Sequence, residues 1–64
     1  MPSNDGPELS SIHGSLEDLA RRIVEIAERR DLDPDDLVST GLFEVDRSLR
    51  NALRQLERVR GRIS

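Results

Sequence analysis

The 64-residue sequence has no cysteine, tryptophan, tyrosine or lysine, and only one phenylalanine and one histidine. Without cysteine there is no disulfide to staple a small fold and no thiolate to hold a metal. His13 alone cannot build a metal site either, so no metal and no cofactor is expected. Apolar residues make up 34% of the chain. Below roughly 70–80 residues a lone core rarely supplies more than about 3–5 kcal/mol, which leaves oligomerisation as the usual route to stability. No apolar run reaches the ~18 residues that span a bilayer, and no signal-peptide core follows Met1. A cytoplasmic location and no membrane partner are therefore expected.

The chemistry of catalysis is missing as well. There is no glycine-rich phosphate loop, no nucleophile beside a base, and no group of carboxylates on an apolar face, so the chain is not expected to be an enzyme. Asp31, Asp33 and Asp35 have the alternate spacing of a calcium loop. The sixth position is Asp36 rather than glycine, however, and the twelfth is Leu42 rather than glutamate. Helix capping explains these acids better.

What the sequence does contain is a periodicity. Val38, Leu42, Val45, Leu49, Ala52, Leu56, Val59 and Ile63 alternate spacings of four and three without a slip. That is the seam of a helix packed against other helices. Upstream, Leu16, Leu19, Ile23 and Ile26 repeat at 3-4-3 spacing, flanked by Ala20 and Ala27. Ser15 and Asp18 form a capping pattern ahead of them, and Glu17–Arg21, Asp18–Arg22 and Glu25–Arg29 are spaced for ion pairs on the opposite face. The spacing predicts a first helix over about 16–30. Residues 1–14, with their Pro, Gly, Ser and Asn, read as a flexible N-terminal arm in which His13 is a solvated loop residue.

Asp33-Pro34-Asp35-Asp36 restarts the chain. Asp33 is suited to cap, Pro34 to the first helical position, and the two acids to the positive first turn. The second helix is expected over about 34–60, ending near Gly61. Gly41, behind Ser39 and Thr40, leaves two options. The helix is continuous, or it breaks near 39–41 and restarts at Leu42; the unbroken heptad phase favours continuity. Phe43, beside the seam, either packs under Leu32 or the loop, or is an exposed anchor for a partner.

These elements predict an all-α fold, an antiparallel helical hairpin over 15–64 with a short first and a long second helix. The first helix covers the second only to about Leu49 or Ala52. Leu53, Leu56, Val59 and Ile63 are then left as an apolar stripe for a second copy, giving a dimeric four-helix bundle or coiled coil. The interface is expected along Val38, Leu42, Val45, Leu49, Ala52, Leu53, Leu56, Val59 and Ile63. Leucine at the first seam position with valine or alanine at the second suits antiparallel or higher-order bundles more than parallel dimers.

Charge divides the chain. Residues 1–36 hold ten acids and four arginines, and residues 37–64 hold three acids and six arginines. Such halves favour packing of one on the other, within or between chains. Arg47, Arg50, Arg54 and Arg58 form a basic stripe. With a net charge of −3 and no interleaved aromatics, it argues against nucleic acid as partner.

Residues 44–59 resemble the cyclic-di-GMP-responsive anti-sigma factors of actinobacteria, whose coiled-coil helix carries the motif E-x3-S-x2-R-x3-Q-x3-D. Glu44, Ser48 and Gln55 fall in register; Asn51 and Val59 stand at the arginine and aspartate positions. Arg50 and Arg54 lie beside the missing arginine. The resemblance implies a bacterial regulator whose partner is a sigma factor or another helical protein. It also implies a ligand site using Glu44, Ser48, Arg50, Arg54 and Gln55. Residue by residue, the sequence supports a self-associating regulatory interaction module.

Overall fold

The computed structural model describes residues 4–30, 33 and 35–63. Two α-helices, α1 (Asp5–Arg30) and α2 (Leu37–Arg60), account for nearly all of them. They form an antiparallel hairpin. The Ser39 hydroxyl donates to the Ala27 carbonyl at 3.0 Å near the turn, while His13 meets Glu57 at 2.9 Å towards the other end. The hairpin measures 54 × 15 × 10 Å between Cα atoms along its principal axes.

The flexible arm expected over 1–14 is overturned for every residue from Asp5 onward; residues 1–3 lie outside the described residues. Composition misled because Gly6 and Pro7 sit in the first turn, where a helix tolerates them, leaving Gly14 as the one interior cost. Pro7 falls in the first turn, where its missing N–H has no intrahelical partner to lose. Asp5 and Glu8 place negative charge at the positive helix end. The Glu8 amide donates to the Asn4 carbonyl at 3.0 Å, so the ladder is already established there. Ser15 is consequently a mid-helix residue rather than a cap, and His13 is helical rather than in a loop.

α2 starts later than the sequence suggests. Its N-cap is Asp36, with extended backbone (φ −79°, ψ 101°), whose Oδ1 accepts the amides of Val38 at 2.9 Å and Ser39 at 3.3 Å. Asp33 instead organises the connection, its Oδ1 accepting the Asp35 amide at 3.0 Å. The expected role of Pro34 as first helical residue, and the packing of Phe43 under Leu32, both involve positions outside the described residues. α2 runs unbroken through Gly41, whose added Cβ would meet nothing within 4 Å. At its end the Gly61 amide reaches the Glu57 carbonyl, and residues 62 and 63 close in tighter i to i+3 bonds.

The helices therefore have 26 and 24 residues, about 39 and 36 Å at 1.5 Å per residue. The expectation of a short helix on a long one fails, and with it the idea that Leu53 and Leu56 lack cover, while Val59 and Ile63 stay exposed at 48% and 38%. Leu53 is 8% exposed, the most buried leucine among the described residues, and Ile63 reaches Gly6 at the start of α1.

Candidate interaction surface

Each helix of the hairpin presents a polar flank, an inward row and an apolar flank. On α1 the inward positions are Leu9, His13, Leu16, Ala20, Ile23 and Ala27, all buried or half-buried. On α2 they are Ser39, Leu42, Asp46, Leu49, Leu53, Leu56 and Arg60. Both sets keep heptad spacing, but neither is quite the set expected. Leu42, Leu49 and Leu56 face inward as the periodicity requires. Their partners are Ser39, Asp46, Leu53 and Arg60, rather than Val38, Val45, Ala52 and Val59.

α2 is thus turned by about one residue relative to the expected seam. The reason is that its apolar surface is three rows wide, so two adjacent seams share the leucine row. The hairpin takes the seam that lets Ser39 and Leu53 enter the narrow space against the alanines. Ala20 and Ala27 are 1% and 0% exposed, and Ser39 is 1% exposed. Small residues let the backbones approach, and the Ser39 hydroxyl supplies a donor to the carbonyl it meets there.

The other seam is left in solvent. Val38, Val45 and Val59 are exposed by 50%, 43% and 48%, and Ala52 is exposed too. On α1 the counterpart row is Ile12, Leu19 and Ile26, seven residues apart and each at least 40% exposed. The two rows lie on the same side of the hairpin. Leu19, Ile23 and Ile26 share a shallow cleft of about 370 Å³ with Val45 and Leu49. One broad side of the molecule is therefore apolar along most of its length. Among the described residues the buried apolar side chains are Ala20, Ala27 and Leu53 alone.

The opposite side is polar. Near the end away from the turn, His13 stands between Glu17 (Nδ1 to Oε1, 3.1 Å) and Glu57 (Nε2 to Oε2, 2.9 Å). Arg60 donates to Glu57 at 3.0 Å and to Ser10 Oγ at 3.1 Å. This network ties the first turns of α1 to the last turns of α2. It accounts for polar residues at inward positions, since His13 and Arg60 reach partners at the edge of the core. Arg50 pairs with Asp46 at 3.0 Å, and Arg21 takes both Asp18 and Glu25, displacing the expected Glu17–Arg21 pair. These contacts, Asp18 foremost, push the Arg21 guanidinium further up, without consequence for an already charged group.

At the turn, Asp36 Oδ2 meets Arg30 Nε at 2.9 Å. Loss of solvent works against the charged form of Asp36. The Ser39 and Val38 amides and the Arg30 charge outweigh it and hold the carboxyl below its ordinary range.

The ligand set implied by the resemblance is divided. Glu44, Ser48 and Gln55 recur at helical spacing along the outer edge of the exposed apolar row. Arg50 and Arg54 line the polar side, in a groove with Phe43, Asp46 and Arg47. Phe43 is 38% exposed there. Among the described residues no group of three His, Cys, Asp or Glu is placed to hold a metal ion, and no helix is long and apolar enough to cross a membrane. Comparison with protein-family models, curated proteins and solved structures finds no match for this chain.

Proposed function

We propose that this chain is a small non-enzymatic interaction module of the bacterial cytoplasm that self-associates into a dimeric four-helix bundle and acts in regulation through that assembly. One observation carries the reading. Among the described residues the buried apolar side chains are two alanines and a leucine, and a full heptad row of each helix is left exposed on one side. Contiguous apolar surface of that extent marks a docking site, and the buried residues alone are too few to make the hairpin stable by itself. A regulatory role fits a chain that acts through its assembly, with ion pairs such as His13–Glu57 and Arg50–Asp46 along its polar side.

The test is sedimentation and thermal melting of the full chain across protein concentration. The wild type should sediment as a dimer, and its Tm should rise with concentration, because association stabilises the folded state by mass action. Val45→Glu, at a half-exposed site, should abolish dimerisation and the concentration dependence together. A folded wild-type monomer with a constant Tm refutes the reading. The cyclic-dinucleotide and sigma-factor reading has less support, because Arg50 and Arg54 lie on the side away from Glu44, Ser48 and Gln55.

A further inference from the structure

Resting on self-association through the apolar side, we infer that the partner is a second copy of this chain, placed with its two-fold axis parallel to the helices. Each α1 then packs on the partner's α2, not on the partner's α1.

Three features of the exposed rows support this arrangement. The first is register. The cross-helix pairs Ala27–Ser39, Ser10–Arg60 and Gly6–Ile63 fix which residues of α1 and α2 are level. By these pairs Ile26 is level with the gap between Val38 and Val45, and Leu19 with the gap between Val45 and Ala52. Ile12, two residues after Ser10, is level with residue 58 and so lies beside Val59. A two-fold axis along the helices keeps every level unchanged, so Leu19 and Ile26 drop into the gaps of the partner's α2 row as knobs into holes.

The second is size. The α1 row is large (Ile12, Leu19, Ile26) and the α2 row is small (Val38, Val45, Ala52, Val59), so large residues meet small ones. An axis perpendicular to the helices at the level of Leu19 would set Leu19 on itself and Ile12 on Ile26, with Val45 facing Ala52 across a gap.

The third is charge. Arg47, Arg50 and Arg54 belong to the polar side and Arg60 is turned inward, so only the charges flanking the exposed rows bear on the partner. Packing α1 on the partner's α2 brings opposite signs together, with Arg22 level with the partner's Glu44 and Glu8 level with the partner's Arg62. The exposed α2 row from Val38 to Val59 runs about 32 Å along the helix and the α1 row from Ile12 to Ile26 about 21 Å, at 1.5 Å per residue.

The native chain has no cysteine, so single-cysteine variants report the pairing cleanly. Leu19→Cys and Ala52→Cys are purified separately, mixed, and oxidised gently. Mass spectrometry then separates the mixed disulfide dimer from the two like-with-like dimers. The mixed dimer should dominate by roughly ten-fold or more. Position 19 of one chain lies beside position 52 of the other, neither lies beside itself, and a disulfide forms only between close neighbours. Ile26→Cys mixed with Val38→Cys repeats the test if either first variant fails to fold. Self-linking of Leu19→Cys as the dominant product overturns the axis while leaving the dimer intact. The absence of any mixed product, where sedimentation shows a dimer, overturns it as well. A wild-type monomer in sedimentation removes the underlying reading and this one together.

Discussion

Ser39→Ala tests the narrowest point of the hairpin. The Ser39 side chain is 1% exposed, and its hydroxyl donates to the Ala27 carbonyl at 3.0 Å. Ala27 is itself 0% exposed and lies in the last turn of α1, where carbonyls run short of intrahelical partners. Removing the hydroxyl takes away that carbonyl's donor from the facing helix. A buried polar group that loses its partner costs about 1–3 kcal/mol. Alanine returns about 0.5 kcal/mol through its better helix propensity. The net cost is about 1.5 kcal/mol, or roughly 6–12 °C in Tm for a chain of this size.

The assay is a circular-dichroism melt at one fixed protein concentration, which holds the association term constant. Ser48→Ala, exposed on the same helix, is the control, and its Tm should move by no more than about 3 °C. If Ser39→Ala melts with the control, or above the wild type, the hydroxyl is not what holds the turn end together. Ser39→Val should do worse than Ser39→Ala, because added bulk against Ala27 forces the helices apart.

Gly14→Ala should raise stability by about 0.5–1 kcal/mol, since Gly14 lies mid-helix and its added Cβ meets nothing within 4 Å; chemical denaturation reads it, and a fall in midpoint would mean that 5–14 is not helical in solution. Asp36 gives a pH signature. Its carboxyl is held below the ordinary range, so its contribution is complete above that range and is lost as pH falls through the lowered value. Asp36→Asn keeps a capping oxygen but removes the titration, so the Tm of the variant should fall less steeply than the wild type below about pH 4. Parallel acid limbs would refute that role for the cap.

Much of the fold is readable from periodicity. The second helix, its continuity through Gly41 and the antiparallel hairpin all follow from heptad phase and the Asp-rich turn. What the pattern does not carry is which of two adjacent seams belongs to the chain itself. Val38, Val45, Ala52 and Val59 look more like core than Ser39, Asp46 and Arg60 do, and a hydrophobicity count ranks them so. The choice depends on the facing helix, where Ala20 and Ala27 admit a serine that makes a hydrogen bond. The start of α1 is hidden differently. Gly6, Pro7 and Gly14 count against a helix by composition, whereas position within the turn and contact with Ile63 and Arg60 decide for one. Leu9 and Ile12, three residues apart, with His13 four after Leu9, are the available signal.

Ile63 beside Gly6 has a further consequence. The chain enters α1 at Asp5 and leaves α2 at Gly61 through one pole of the hairpin, and the acidic turn occupies the other. In the arrangement with the axis along the helices, all four such passages of the dimer crowd at that same pole. Anything joined ahead of Asn4 or behind Ile63 is thereby gathered in two copies at one tip of a rod, and a short tether from one chain to the next suffices to make the bundle a single polypeptide.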